Sequence, residues 1–508
     1  MSFVSSYAPV FTSLADQVRL HAVYRSGDTA LIEGGRSVDW ASYSSTGNRI
    51  AHSLQTAGIR KGDRVAMLVA NGIWSHEVLL GIWRAGAVAV PLSTMLTADA
   101  VGTMLEDCEA RLLLASTGYA DLARAAVAGS DLPLLVQGDA FDQLVAGSPD
   151  TDPGMALGAD DEAVIIYSSG TTGKPKGIVH NHESRFSFGA VLGGEMRMHC
   201  ESVALSSIPM HSNGAWLSWC PAKWCGATTV ILPQFSPEAF IEVIQRHRPT
   251  HGFVVPAMCG ALLDHPDIEQ AGLECFECAL TAGSPMPAAM KQAMRRLTGD
   301  GLWELWGLTE GVITMINPSQ LAERPDSVGR PVHGCEIRLI DDEDNDVTFS
   351  GTGEIVGYSG GLMSGYWNRP DANAEILWRG ETGRTFIRTG DIGEFDSEGF
   401  LTLRGRAKDM IISGGVNVYP VDIESVLLTH DAVVDAAVIG VEHEKWGETP
   451  VGFVRTDGAV VAEDLKQWAN DKLAKHQRLR DLVIYPGDFP RNTLGKVLKN
   501  ELRDAYLE

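Results

Sequence analysis

Short apolar runs rich in β-branched residues recur along this chain at positions 65–69, 163–167, 228–232 and 251–255, with longer amphipathic stretches between them. Runs of that length read as strands buried on both faces, and the stretches between them read as helices that cover them. From residue 30 to about residue 330 this alternation predicts α/β layers with mainly parallel sheets. Near residues 383–391 the texture changes to tighter, Gly-rich, antiparallel-looking strands that end at Arg404-Gly-Arg-Ala-Lys-Asp409. Beyond that point, residues 433–441 predict a strand and 462–473 a helix. The fold class expected is therefore α/β. A large N-terminal α/β-layered domain over 1–407 precedes a smaller α+β domain over 408–508, with the boundary at Lys408. No repeat of fixed period is present, and the only biased tract is a Gly/Pro/Asp loop at 147–158.

A chain of 508 residues exceeds one compact core, which agrees with that division. Its formal net charge of −24 changes the picture more. A nucleic-acid partner requires a basic surface that displaces counterions, and no dense run of Lys and Arg supplies one. The first residues lack a basic segment followed by an apolar core, and no later stretch has the length and apolarity of a membrane span. A soluble cytoplasmic protein is expected. The eight cysteines are scattered and read as reduced, mostly buried thiols, with a structural role favoured over zinc or redox work for the single CxxC at Cys275 and Cys278.

Four segments carry candidate chemistry. Tyr167-Ser-Ser-Gly-Thr-Thr-Gly-Lys-Pro-Lys-Gly177 follows the apolar run 163–167 directly. Its hydroxyls, glycines and lysines suit a wrap of N–H and side-chain donors around a polyphosphate, against the plainer reading of a flexible surface loop. It is not a Walker A loop, because Pro175 stands where that motif places Ser or Thr after the lysine. Leu302-Trp-Glu-Leu-Trp-Gly-Leu-Thr-Glu310 reads as a strand ending in a tight turn. Thr309 there is a phosphate donor or a helix cap, and Glu310 is a magnesium carboxylate or an ordinary first-turn acid. Arg388-Thr-Gly-Asp391 reads as a turn whose carboxylate accepts ribose hydroxyls, or as an Asx turn between two strands. Near the C-terminus, Pro490-Arg-Asn-Thr-Leu-Gly-Lys496 places a lysine after a glycine turn. Lys472, Lys475, Arg478 and Arg480 gather as either a phosphate landing place or a solvated face.

Together and in this order, these segments resemble the adenylate-forming superfamily of acyl-CoA synthetases, aryl-CoA ligases, luciferases and peptide-synthetase adenylation domains. The resemblance runs from Gly58-Ile-Arg-Lys-Gly-Asp-Arg-Val65 and Trp83-Arg-Ala-Gly-Ala87 to the terminal lysine. It implies ATP, Mg2+ and coenzyme A as cofactors or cosubstrates and a small carboxylic acid as substrate. Ser168, Ser169, Gly170, Thr171, Thr172, Gly173, Lys174 and Lys176 would form a mobile phosphate loop. Gly283, Ser284, Pro285, Trp306 and Gly307 would border the adenine, Thr309 the α-phosphate and Glu310 the metal. Asp391 and Arg406 would hold the ribose, and Lys496 would stand between the carboxylate and the α-phosphate, where a cation offsets developing charge. Lys408 matches the hinge about which the small, mobile domain swings between two half-reactions. Gly414 and Gly415 match a pantetheine tunnel, and Trp446, His476, Arg478 and Arg480 match CoA contacts.

Some positions depart from the pattern. The tyrosine before the Gly-x-Thr-Glu turn is Trp306, the gating Phe-His pair reads His211-Ser212, and a proline of the CoA stretch is Leu479. The candidate acyl pocket comprises His211, Asn213, Trp216, Val255, Met258, Thr281, Gly307 and Ile313. Gly307 reads either as space for a medium-chain or aromatic acid or as a close backbone approach. The function expected is an ATP-dependent carboxylic acid:CoA ligase acting through an acyl-adenylate. The alternatives are a stand-alone enzyme loading a carrier protein and a catalytically silent binding protein on the same fold; an amino-acid substrate is disfavoured because residues 206–217 contain no acid. A luciferase-type oxygenase shares the first half-reaction. A homodimer is the assembly left open.

Overall fold

In a computed structural model of the protein, residues 11–168, 176–380, 383–414, 416–458, 460–491 and 497–507 are described. The chain forms two compact units: residues 1–323 with 331–336 and 358–375, and residues 324–330 with 337–357 and 376–508. Lys408 therefore lies inside the second unit, in the short turn Ala407–Asp409, and not at the boundary between the two units.

The first unit contains two sheets. One has the order Ile313–Ile316, Leu302–Gly307, Cys278–Thr281, His251–Val254, Val203–Ser206, Thr228–Ile231, Thr29–Glu33, Arg36–Asp39. Its inner pairs are parallel, with antiparallel hairpins at both ends of this run. The other has the order Gly365–Tyr366, Lys176–Asn181, Glu162–Ser168, Val88–Pro91, Arg64–Leu68, Leu112–Ala115, Leu134–Val136. The apolar runs predicted as strands are strands: 65–69 falls on Arg64–Leu68, 163–167 on Glu162–Ser168, and 228–232 and 251–255 on Thr228–Ile231 and His251–Val254. Their burial explains the runs, since Val65, Ala66, Met67 and Leu68 alternate between the two faces of their strand and none has exposed surface.

The second unit also has two sheets. Glu336–Ile340, Gly353–Tyr358, Thr385–Phe395 and Leu377–Arg379 form one, with Leu401–Arg406 paired to Thr385–Phe395. Val416–Val418, Ile411–Ser413, Gly447–Thr456 and Val433–His443 form the other, and Asp481–Ile484 adds a parallel strand. Its core is Ile411, Val418, Ile423, Leu427, Val438, Val454 and Leu465. The helix expected at 462–473 is Ala462–Asn470. Among the described residues no helix is long and apolar enough to cross a membrane.

Candidate active site

In the first unit, neighbouring strand ends present the candidate residues along one sheet edge. His211 and Asn213 follow Val203–Ser206, Val255 and Met258 follow His251–Val254, and Gly283, Ser284 and Pro285 follow Cys278–Thr281. Carboxyl ends of adjacent parallel strands are where open α/β sheets bind ligands. Thr281 stands opposite Glu304 in the register, and Glu304 forms a buried ion pair with Lys291 at 2.6 Å. Burial raises the Glu304 carboxyl, while Lys291 opposes that rise.

The strand Leu302–Gly307 turns through residues 308–312 into Ile313–Ile316, closed by Leu308 N–H to Val312 O at 3.2 Å. Thr309 and Glu310 therefore occupy a hairpin tip, and Thr309 caps no helix. Gly307 has a backbone reason: an added Cβ would lie 2.7 Å from the Val312 carbonyl oxygen. The close-approach reading of that glycine thus accounts for it without appeal to pocket size. At the tip, Gly311 adopts φ +106, and a Cβ there would meet the Gly361 carbonyl oxygen at 2.2 Å. Met363 N–H donates to Glu310 O at 2.9 Å, and Ser359 Oγ donates to Gly311 O at 2.7 Å. Segment 359–366 therefore fixes the hairpin tip.

That segment ends at Tyr366, which sequence reasoning missed. Its hydroxyl donates to Glu310 Oε1 at 2.8 Å, and Lys176 Nζ lies 5.0 Å from its ring centroid. Lys176 opens the strand Lys176–Asn181, paired with Glu162–Ser168 so that Ser168 faces Lys176. The two ends of the phosphate-type loop are thus adjacent, and Tyr366 ties one end to the Glu310 carboxylate. A second tie holds the base of the same hairpin. Tyr167 Oη donates to Asp107 Oδ2 at 2.6 Å, Arg369 Nη2 reaches Asp107 Oδ1 at 2.5 Å, and Trp367 N–H donates to Gly177 O at 2.7 Å. The expectations for Ser169, Gly170, Thr171, Thr172, Gly173, Lys174, Gly415 and Lys496 lie outside the described residues.

Ser212 and His211 divide their work. Ser212 caps the helix Asn213–Cys225, its Oγ accepting from Gly214 N–H at 3.3 Å. His211 is pushed down to about 4 by burial and is neutral at ordinary pH. Trp216 has no exposed surface; its ring lies 4.6 Å from that of Trp219, tilted against it, and its Nε1–H donates to Met210 O. Val255, Met258, Thr281, Trp306 and Ile313 are also buried. A separate cavity of about 530 Å³, lined among others by Glu33, Arg36, Trp74, Glu242 and Arg246, contains none of the expected site residues.

In the second unit, residues 388–391 do not form a turn between strands. They lie within Thr385–Phe395, where Gly390 takes φ +69 at an irregularity of the pairing with Gly353–Tyr358. The bulge re-aims the strand and delivers Asp391, nearly buried, opposite Arg406; Arg406 Nε meets Asp391 Oδ1 at 2.8 Å. Lys408 lies two residues beyond, its ammonium held below the usual lysine value by partial burial. Gly414 takes φ +62, with the Trp446 ring 3.0 Å from where a Cβ would stand, and its N–H donates to Trp446 O at 2.7 Å. Trp446 borders an open cavity of about 760 Å³ with Ile412, Glu442, His443, Glu444 and Glu448. Those acids are poor company for phosphates. His476, Arg478 and Arg480 are exposed outside that lining, beside the buried Leu479.

Residues 18–367 match the family described as AMP-binding enzyme, and residues 422–496 match the AMP-binding enzyme C-terminal domain. Two curated relatives cover nearly all of the chain. The long-chain-fatty-acid–CoA ligase FadD13 of Mycobacterium tuberculosis is 33% identical over 474 residues, 92% of this chain and 93% of its own. The fatty acid–[acyl-carrier-protein] ligase ScoC of Streptomyces coeruleorubidus is 31% identical over 512 residues, 98% of this chain and 97% of its own. Among solved structures, the anthranilate CoA ligase AuaEII in complex with anthranoyl-AMP superposes with a TM-score of 0.87 at 26% identity, covering 98% of each chain. The chain belongs to the AMP-binding enzyme family of adenylate-forming ligases.

Proposed function

We propose that the protein is an ATP-dependent carboxylic acid:CoA ligase that forms an acyl-adenylate and then a thioester, acting on a medium-chain or aromatic acid. The observation that carries the reading is the junction of Lys176, Tyr366 and Glu310, which sets a cation, a phenol and a carboxylate between a phosphate-type hairpin and the Thr309 turn. A lone carboxylate beside a polyphosphate suits Mg2+, which takes one or two protein carboxylates and completes its shell with phosphate and water. Glu310 would hold that ion, and the ion would screen the triphosphate during attack by the acid.

The remaining roles are those that the family resemblance implies, and each suits the charge or hydroxyl of its residue. Asp391, fixed by Arg406, accepts the ribose hydroxyls; Thr309 contacts the α-phosphate; Lys496 supports the charge that develops as one anion attacks another. Adenylation joins a carboxylate oxygen to the α-phosphorus and releases pyrophosphate. The thiol of CoA then displaces AMP and its proton is lost to solvent. A hinge at Lys408 would exchange the catalytic lysine for the pantetheine path along Gly414, Gly415 and Trp446, with His476 on the CoA adenine and Arg478 and Arg480 facing CoA phosphates.

A carrier-protein acceptor is the second reading, favoured by the likeness to ScoC. One panel separates them: acids assayed for pyrophosphate release alone, with CoA, and with a phosphopantetheinyl carrier protein. The ligase reading expects thioester formation with free CoA. Thioester formation with the carrier alone overturns it.

A further inference from the structure

Arg185 is the least expected charge in the first unit. It lies in the helix His182–Glu195, is 1% exposed, and has no carboxylate partner among the described residues. Its guanidinium lies over the rings of Phe188, at 4.7 Å, and Trp216, at 5.5 Å. Nη2 donates to His180 Nδ1 at 2.9 Å, Nη1 donates to Asn213 Oδ1 at 3.1 Å, and Nε has no partner among the described residues. A buried charge without a counter-ion costs several kcal/mol, and every partner here is neutral.

The geometry fixes Asn213. A guanidinium carries donors only, so the amide atom facing it is the oxygen. The Nδ2 group is thereby turned away from Arg185, and it has no partner among the described residues. Asn213 is also the first residue of the helix Asn213–Cys225, whose N-terminal end carries partial positive charge, and it is half-exposed at the strand-end edge beside His211. No acid occurs in residues 206–217. His180 adds to the polarity: its Nε2 lies near the Thr309 backbone without a hydrogen bond, which links the cluster to the adenylate side of the site.

An amide whose two N–H groups are unused among the described residues, backed by a fixed positive charge, is a poor neighbour for a plain hydrocarbon tail. A bound alkyl chain would strip water from those donors and give nothing back. We infer that the acid this enzyme takes carries a second acceptor oxygen, a carbonyl or carboxylate on its body, which the Asn213 amide receives with Arg185 fixed behind it. The inference rests on the acid:CoA ligase reading and deepens it. Asn213 is a specificity residue that touches substrate, and Arg185 is a positioning residue that acts through it.

The test compares kcat/KM for acid-dependent pyrophosphate release across length-matched medium-chain acids: plain acids, their oxo derivatives with the carbonyl placed along the chain, and the corresponding dioic acids. At least one oxo or dioic acid should exceed its plain counterpart by about tenfold or more, since leaving buried donors unpaired is penalised strongly. Asn213→Ala should lower that ratio about tenfold, mainly through KM for the substituted acid. Asn213→Asp gives Arg185 its missing carboxylate. It should fold, melt at a higher temperature, and lose the preference, with the dioic acid suffering more than the ketone if the natural group is anionic and both suffering alike if it is neutral. Plain acids outperforming every substituted one, or an Asn213→Ala variant that scales all acids equally, would overturn the inference. If no acid of any kind drives pyrophosphate release, the ligase reading itself falls and this inference with it.

Discussion

Glu310 and Asp391, one carboxylate in each unit, are built differently. Glu310 stands on a hairpin tip, half-exposed, with a phenol hydroxyl as its side-chain partner. Asp391 is nearly buried on a bulged strand and is gripped by a guanidinium at 2.8 Å. A phenol orients a carboxylate without neutralising it, which leaves Glu310 open to an arriving cation. A guanidinium neutralises its carboxylate and locks it, which suits Asp391 to accepting hydroxyls in one fixed geometry. On the proposed reading, that difference gives Glu310 to the metal and Asp391 to the sugar.

The largest expected effect tests the first half of that comparison. Glu310→Gln keeps shape and the Tyr366 contact but removes charge, and adenylate formation should fall about 10²–10³-fold, as expected when preorganised charge stabilisation is lost. Raising Mg2+ should recover part of the rate. A loss insensitive to Mg2+ would remove Glu310 from the metal. Asp391→Asn comes next: KM for ATP should rise about 10–100-fold, the scale of a charge-assisted hydrogen bond, with no change in Mg2+ dependence. Rescue by Mg2+ in this variant would erase the distinction between the two carboxylates. Tyr366→Phe should cost about two- to tenfold and steepen the Mg2+ requirement, because a hydrogen bond to Glu310 orients the carboxylate and does not create it.

How far the sequence carried this picture differs between the same two residues. The apolar runs announced every strand of the parallel layers that was expected, because burial on both faces leaves a continuous apolar mark. Glu310 was legible as a residue, since Thr-Glu after an apolar run marks a strand end. Its fixation by Tyr366 was not, because the partner is far away in sequence and only the strand pairing of Gly365–Tyr366 with Lys176–Asn181 brings it near. The segment around Asp391 was misread as a turn, because Thr-Gly-Asp reads alike in a turn and in a bulge, and only the partner strand decides. Gly307 suggested an empty pocket, whereas its neighbour across the hairpin is the Val312 carbonyl. Arg185 gave no signal at all: a lone arginine in an amphipathic stretch reads as solvated, and its burial depends on the packing of Trp216 and Phe188.

The smallest effect on activity is expected at Lys223. This lysine is fully enclosed, with its ammonium about 5 Å from the rings of Trp40 and Tyr43, and burial pulls it down to about 7. Between pH 7 and its ordinary value of 10.5 the unfolded chain holds that proton and the folded chain does not, so stability rises with pH across this window. Lys223→Met should keep wild-type turnover while melting higher at pH 7, with the advantage shrinking as pH approaches 10.5. An advantage that does not vary with pH would mean that the lysine is paired in solution.

The central claim is that one active site first makes an acyl-adenylate and only then uses a thiol. Exchange of labelled pyrophosphate into ATP, measured with enzyme, Mg2+ and a candidate acid but no CoA, tests it most directly. The account predicts exchange that requires the acid, with AMP and thioester accumulating only when CoA is added. Exchange that requires CoA from the start, or thioester formation without any acid-dependent exchange, would contradict it.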